Sequence, residues 1–195
     1  MGTAHSPVAR RCWSACGAML AAALLLTAAA PAGAGQDPGI RLGVYDGADS
    51  DEPVPVLGVY GRLDVPGPLN LELSADYRQE SLLDGDLEAT VVPVRASVLL
   101  NFFPGVSPYL LAGVGADYVS FEFRDGQAAA GDLTSLVFEL HAGAGVELGL
   151  GPVTLIGDVR YCSVEQTSSD AVRQALGHDY DASGWYASLS AGISF

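Results

Sequence analysis

Beyond about residue 38 the chain alternates apolar and polar residues with a period of two, and no helical periodicity of useful length interrupts it. The closing segment, GWYASLSAGISF, puts Trp185, Ala187, Leu189, Ala191, Ile193 and Phe195 on one face, with Tyr186, Ser188, Ser190, Gly192 and Ser194 on the other. In LNLELSADYR, Leu69, Leu71, Leu73, Ala75 and Tyr77 oppose Asn70, Glu72, Ser74, Asp76 and Arg78. Such alternation predicts strands with one apolar and one polar face. Eight are read, near residues 39–45, 54–63, 69–79, 89–102, 108–123, 135–148, 153–163 and 184–195. The fifth is less regular, with Leu110, Ala112, Val114, Ala116 and Tyr118 against Gly113, Gly115 and Asp117, a pattern whose ends a bulge could shift.

The connections alternate in length. Three are tight and rich in Pro and Gly (DVPGP, FPGVS, LGLGP). Four are longer and polar: DGADSDEP at 46–53, ESLLDGDLE at 80–88, RDGQAAAGDLT at 124–134 and EQTSSDAVRQALGHDYDAS at 165–183. In an up-and-down meander this order puts every long loop at one end and both termini at the other. An even strand number, short turns at one end and long loops at the other are the rule for barrels that cross an outer membrane. The predicted fold is therefore all-β, an eight-stranded antiparallel up-and-down transmembrane barrel.

The interior of an eight-stranded barrel is just wide enough to be filled by side chains. If the polar faces converge there, they bring together Arg41, Arg62, Arg78, Arg95 and Arg160 with Glu72, Asp76, Asp117, Glu139, Glu147, Asp158 and His141. The near balance of sign lets buried charges pair, as they must. The inverse arrangement, apolar inside, is that of soluble lipocalin-like barrels, and alternation alone does not separate the two. The loop rhythm, the small outward Ala and Val residues and the aromatics favour the membrane. Phe102, Phe195 and Tyr109 are placed near the short-turn end, and Tyr77, Tyr118, Tyr161 and Trp185 near the long-loop end, as two interfacial belts.

Charge sharpens this picture. The 195 residues carry a formal charge of -14, and every basic residue is Arg. Fifteen acids lie in or beside the long loops, opposed there by Arg124 and Arg173 alone, so that end carries about -13. Such a body excludes nucleic acid as a partner, because phosphate binding needs clustered cations. The acidic loops suit a solvated crown, or bridging by divalent cations to anionic lipopolysaccharide or partner surfaces. DGADSDE lacks the spacing of a calcium-binding loop, so no dedicated metal site is expected.

Residues 1–34 read as an export signal preceding a barrel domain at 35–195. Arg10 and Arg11 supply positive charge, AMLAAALLLTAAA is a 13-residue apolar stretch, and Ala32 to Ala34 offer small residues for cleavage. A helix crossing a bilayer needs about 20 apolar residues. A buried helix and a loose N-myristoylation pattern in MGTAHS are the alternatives for this region. After cleavage only Cys162 remains, and no intrachain disulfide is possible.

With these residues in view, the chain resembles the small eight-stranded outer-membrane β-barrels of the OmpA-like and OmpX-like "porin family" group. The likeness covers nearly all of 36–195 and rests most on VPVRASVLLNF, SPYLLAGVGADY and SLSAGISF. It implies an outer-membrane location, contact with outer-membrane lipids, and a final strand read by the barrel-assembly machinery, with Ile193 and Phe195 matching that signal. The Gly often found five residues before the end is Ser190 here. No appended soluble domain is read in the chain, so a peptidoglycan-binding module of the OmpA kind is not expected, nor is a cofactor.

Architecture does not fix activity. Some barrels of this size modify lipid A with a catalytic Ser and His. The His-x-Ser pair of the deacylase type is missing: the sequence reads HAG at 141 and HDY at 178. His178 has Asp179, Asp181 and Ser183 beside it and Ser163, Ser168 and Ser169 upstream, a loop set from which a Ser-His-Asp arrangement could be assembled. His141 is placed with Glu139 and Asp158 in the lumen. The expectation is a non-enzymatic envelope barrel with a structural or surface-interaction role. The alternatives are a lipid A-modifying acyl hydrolase or transferase, a small-solute channel, or a lipocalin-like carrier.

Overall fold

The computed structural model describes residues 36–65, 67–83, 86–103, 106–123, 134–165, 173, 174 and 176–193. The expected export signal and Phe195 lie outside the described residues. The alternating runs form eight strands: β1 (Gln36–Gly47), β2 (Val54–Asp64), β3 (Leu69–Leu82), β4 (Leu87–Asn101), β5 (Val106–Phe123), β6 (Thr134–Leu150), β7 (Val153–Val164) and β8 (Gly184–Ile193). Each pairs antiparallel with its chain neighbours, and β1 pairs with β8, closing the barrel. Connections L1 (48–53), L2 (83–86) and L4 (165–183) join strand ends at one end of the barrel, and the chain between β5 and β6, L3 (124–133), lies outside the described residues. Gly151, at φ +70°, makes the two-residue turn between β6 and β7, a backbone conformation that L side chains rarely adopt.

Two points of the strand reading change. L2 is only four residues, because the alternation does not stop at Gln79: Arg78, Glu80 and Leu82 continue inward, and pairing runs to Leu82–Leu87. Strand β5 holds one register against both β4 and β6, with no bulge. Its glycines answer a different need. A Cβ on Gly113 would collide with the Ala96 carbonyl and the His141 ring, and one on Gly115 would press on Arg95.

The same device recurs around the inner wall. Tyr186 lies over Gly43 and Tyr109 over Gly145. Tyr60 of β2 lies over Gly39 of β1 and reaches Gly192 of β8. Large side chains thus lie flat on bare backbone, which lets a narrow barrel hold five arginines and four tyrosines. Pro93, with no N–H to give, faces inward on β4 where the β3–β4 ladder skips Asp76 and Tyr77.

The outer wall is apolar. Leu189 and Leu136 are each 74% exposed, and Leu42, Val94, Leu110, Leu140, Val159 and Ile193 continue the surface. Tyr118, Tyr161 and Trp185 project outward near the loop end, with Tyr161 and Trp185 in edge contact at 5.2 Å. Phe102 and Phe103 project at the short-turn end. Tyr109 does not join that belt. It sits on the opposite parity from Leu110 and is buried inside. An apolar wall around a charged interior is stable only where hydrocarbon, not water, bathes the wall.

Candidate functional site

The interior is layered along the barrel axis. Near the short-turn end Tyr60, Leu99, Tyr109, Leu111 and Ile156 pack together. Above them lie the paired charges, with Tyr45, Val54, Val56, Cys162 and Tyr186 alongside. At the loop end comes a second apolar layer, with Leu82, Leu87, Val91, Val119, Phe121, Val137 and Val164 among its members.

All twelve charged and histidine residues expected in the lumen point inward, and they sort into three groups. In the first, Arg62 joins Glu147 at 2.7 Å and Glu72 at 2.8 Å, Glu72 accepts from Arg41 at 2.8 Å, and Arg160 donates to Asp158 at 3.0 Å. Tyr109 ties this group together by accepting from Arg62 and donating to Asp158. In the second, Arg95 lies between Asp76 at 2.6 Å and both oxygens of Glu139 at 2.6 and 2.8 Å. In the third, Arg78 donates to Glu80 at 2.6 Å and stands 3.6 Å from Asp117. Every one of the five lumen arginines also stacks on an inward tyrosine, at 3.8–5.8 Å from the ring centre. Ser190, which stands where the family often has Gly, accepts from Arg41 at 3.1 Å.

Glu80 was expected in the crown and belongs instead to the lumen, where it is buried. The period-two count from Arg78 is the signal that finds it. Asp158 is not beside His141, as expected, but pairs with Arg160. His141 instead lies 2.8 Å from Ser97 through Nε2 and 2.9 Å from Glu139 through Nδ1. This has the order of a serine–histidine–acid relay. Glu139 is also clamped by Arg95, and all three residues are buried in the barrel wall's interior. The trio is a member of the pairing network. It exists because Gly113 lets residues of β4 and β6 touch across β5.

At the mouth, residues 176–183 of L4 fold back into the barrel. Tyr180 and Ala182 are buried in the upper apolar layer, with the Tyr180 ring edge-on to Phe121 at 5.1 Å. The Tyr180 hydroxyl donates to Glu80 at 2.7 Å, and Tyr45 donates to the Ala182 carbonyl. The Ser183 hydroxyl accepts from the Val164 amide at 2.9 Å, and Ala48 donates to the Ser183 carbonyl at 2.8 Å. L1 clasps L4 from outside: Asp49 accepts from the Asp181 amide at 2.7 Å and contacts His178 Nε2 at 3.0 Å. The Asp49 carboxylate stabilises the His178 imidazolium and raises its pKa from the ordinary histidine value. The other His178 nitrogen meets the Leu176 carbonyl. The described geometry therefore gives His178 an acid and a carbonyl, while Ser183 is occupied by the β7 backbone. Ser168 and Ser169 lie outside the described residues. Ile193 ends the described part of β8, facing outward opposite Val153. No cluster of His, Cys, Asp and Glu suited to a metal ion occurs among the described residues.

The family model "Outer membrane protein beta-barrel domain" matches residues 18–195. No curated protein sequence matches. Among solved structures, the Neisserial surface protein A (NspA) is similar at 14% identity and TM-score 0.59, over 84% of this chain and 96% of that one. A major outer membrane protein of Thermus thermophilus is similar at 16% identity and TM-score 0.58, over 84% and 100%. OprG of Pseudomonas aeruginosa is similar at 19% identity and TM-score 0.55, over 83% and 95%. At these identities the likeness is one of fold.

Proposed function

From the premise that this chain belongs to the outer membrane protein β-barrel family and resides in the outer membrane, we propose that it is a non-enzymatic envelope protein acting through its acidic loop end. The observation that carries this reading is the lumen. Its charged groups are spent on one another and on tyrosines, which leaves the loops as the part facing other molecules. There the carboxylates of L1 and L4 outnumber the cations, and divalent ions would bridge them to the phosphates of neighbouring lipopolysaccharide. During biogenesis Ile193 and Phe195 would be read by the assembly machinery.

Mass spectrometry of lipid A from outer membranes with and without the protein tests this. A heated-versus-unheated gel shift first establishes that the barrel is folded in that fraction. Unchanged acylation is expected. Gain or loss of an acyl chain would overturn the reading and direct attention to His178 and the serines of L4.

A further inference from the structure

We propose that residues 176–183 of L4 are a latched lid, so that the barrel has a closed state, the one described above, and an open state in which the lumen is reached from the loop side. Two features distinguish this segment from ordinary core. The first is how it is held. Tyr180 and Ala182 fill an apolar cup, but the attachments that fix them are discrete polar contacts: Tyr180 to Glu80, Tyr45 to the Ala182 carbonyl, Ser183 to Val164, and Asp49 to Asp181 and His178. Gly177, at φ +79°, lies at the start of the segment ahead of the polar contacts, and Gly184 opens β8 directly after it.

The second feature is what the lid covers. Below the cup, Arg78 is register-paired with Val91, and Asp117 stands two residues below Val119. Arg78 and Asp117 face one another as an ion pair at 3.6 Å, but Arg78 Nη1 and Nη2 and both oxygens of Asp117 are buried without a hydrogen bond among the described residues. An ion pair without hydrogen bonds offsets only part of the cost of taking its charges out of water. Opening the lid exposes the apolar cup, which is unfavourable, but it hydrates Arg78, Asp117 and Glu80, which is favourable. The two terms oppose one another, and such opposition is what makes an element bistable.

Cys162 supplies a reporter. It is fully buried with Tyr45 and Tyr186, on the lumen side of the Tyr45–Ala182 contact. In folded protein reconstituted in phospholipid vesicles, its modification by a small cationic methanethiosulfonate reagent should be slow in wild type. Tyr180→Ala should speed it at least tenfold, and Tyr180→Phe, which keeps the ring and removes only the hydroxyl, by a smaller factor. Cys162→Ala sets the background from any other cysteine, and retention of the heat-dependent gel shift shows that each variant is folded. A folded Tyr180→Ala protein reacting at the wild-type rate would make the segment plain core filling and end the proposal, as would a folded wild type that reacts as fast as the denatured chain. If Tyr180→Ala does not fold, the Tyr180→Phe comparison decides, with an unchanged rate counting against the lid.

Discussion

At the scale of single residues, the interior is governed by glycine placement and charge pairing. Gly113→Val would force a side chain into the space shared by the Ala96 carbonyl and His141, so that Ser97 and His141 separate. Overpacking of this kind costs about 1–3 kcal/mol. The urea midpoint for loss of the heat-dependent gel shift should fall accordingly, whereas Gly149→Ala, with open space around its position, should leave it unmoved. Arg95→Leu would strand Asp76 and Glu139 together, and breaking a buried pair typically costs about 3–5 kcal/mol. His178 is the titrating group at the mouth. Its folded value is raised by Asp49, so the clasp is at full strength below the ordinary histidine value of about 6.5 and is lost as pH rises through the higher folded value. Following the imidazole by NMR, Asp49→Asn should bring that titration back down toward the ordinary value. An unmoved midpoint would mean that L1 does not clasp L4 in solution.

Elements tell a second story, about what alternation reveals and what it hides. The strand positions were legible to within a few residues, because period two survives even where glycine replaces a large residue. Residue type misplaces Tyr109 and Glu80 for a shared reason: an aromatic suggests a belt and an acid a crown, whereas the parity of each points it inward. The Ser97–His141 contact was not legible at all, since it depends on which residues of β4 and β6 lie level across β5, a matter of register. Nor was the inward path of L4, whose polar composition matches a solvated loop. Strand β8 offers the sharpest test of face assignment. Leu189 projects outward midway along it, and Leu189→Arg should destabilise the bilayer-inserted barrel by about 2–4 kcal/mol. Equal stability of the two in vesicle urea titrations would place Leu189 away from the hydrocarbon.

For the molecule as a whole, charge is distributed by place: balanced inside, absent from the middle of the outer wall, and in acidic excess at the loop end, where Asp46, Glu88 and Glu122 are exposed. On the proposed function, attraction between such loops and lipopolysaccharide would have to run through a divalent ion, since both surfaces are negative. Floating the reconstituted protein with lipopolysaccharide-containing vesicles should therefore require millimolar magnesium, and chelation should reverse it. Association that persists in chelator would point to contacts other than the carboxylates.

The ring of Tyr60 has a bearing on how this barrel is made and unmade. It rests on Gly39 of β1 and reaches Gly192 of β8, so part of its bed comes from the first strand and part from the last. Until the termini meet, that bed is incomplete, and the stacking of Arg41 and Arg62 on the ring has no backing. The seam is thus secured by a contact that forms late and must be undone early. Contacts absent from the folding transition state govern the rate of unfolding more than the rate of folding. A methyl group at position 192 would accordingly shorten the lifetime of the closed barrel while leaving its speed of formation largely as it was.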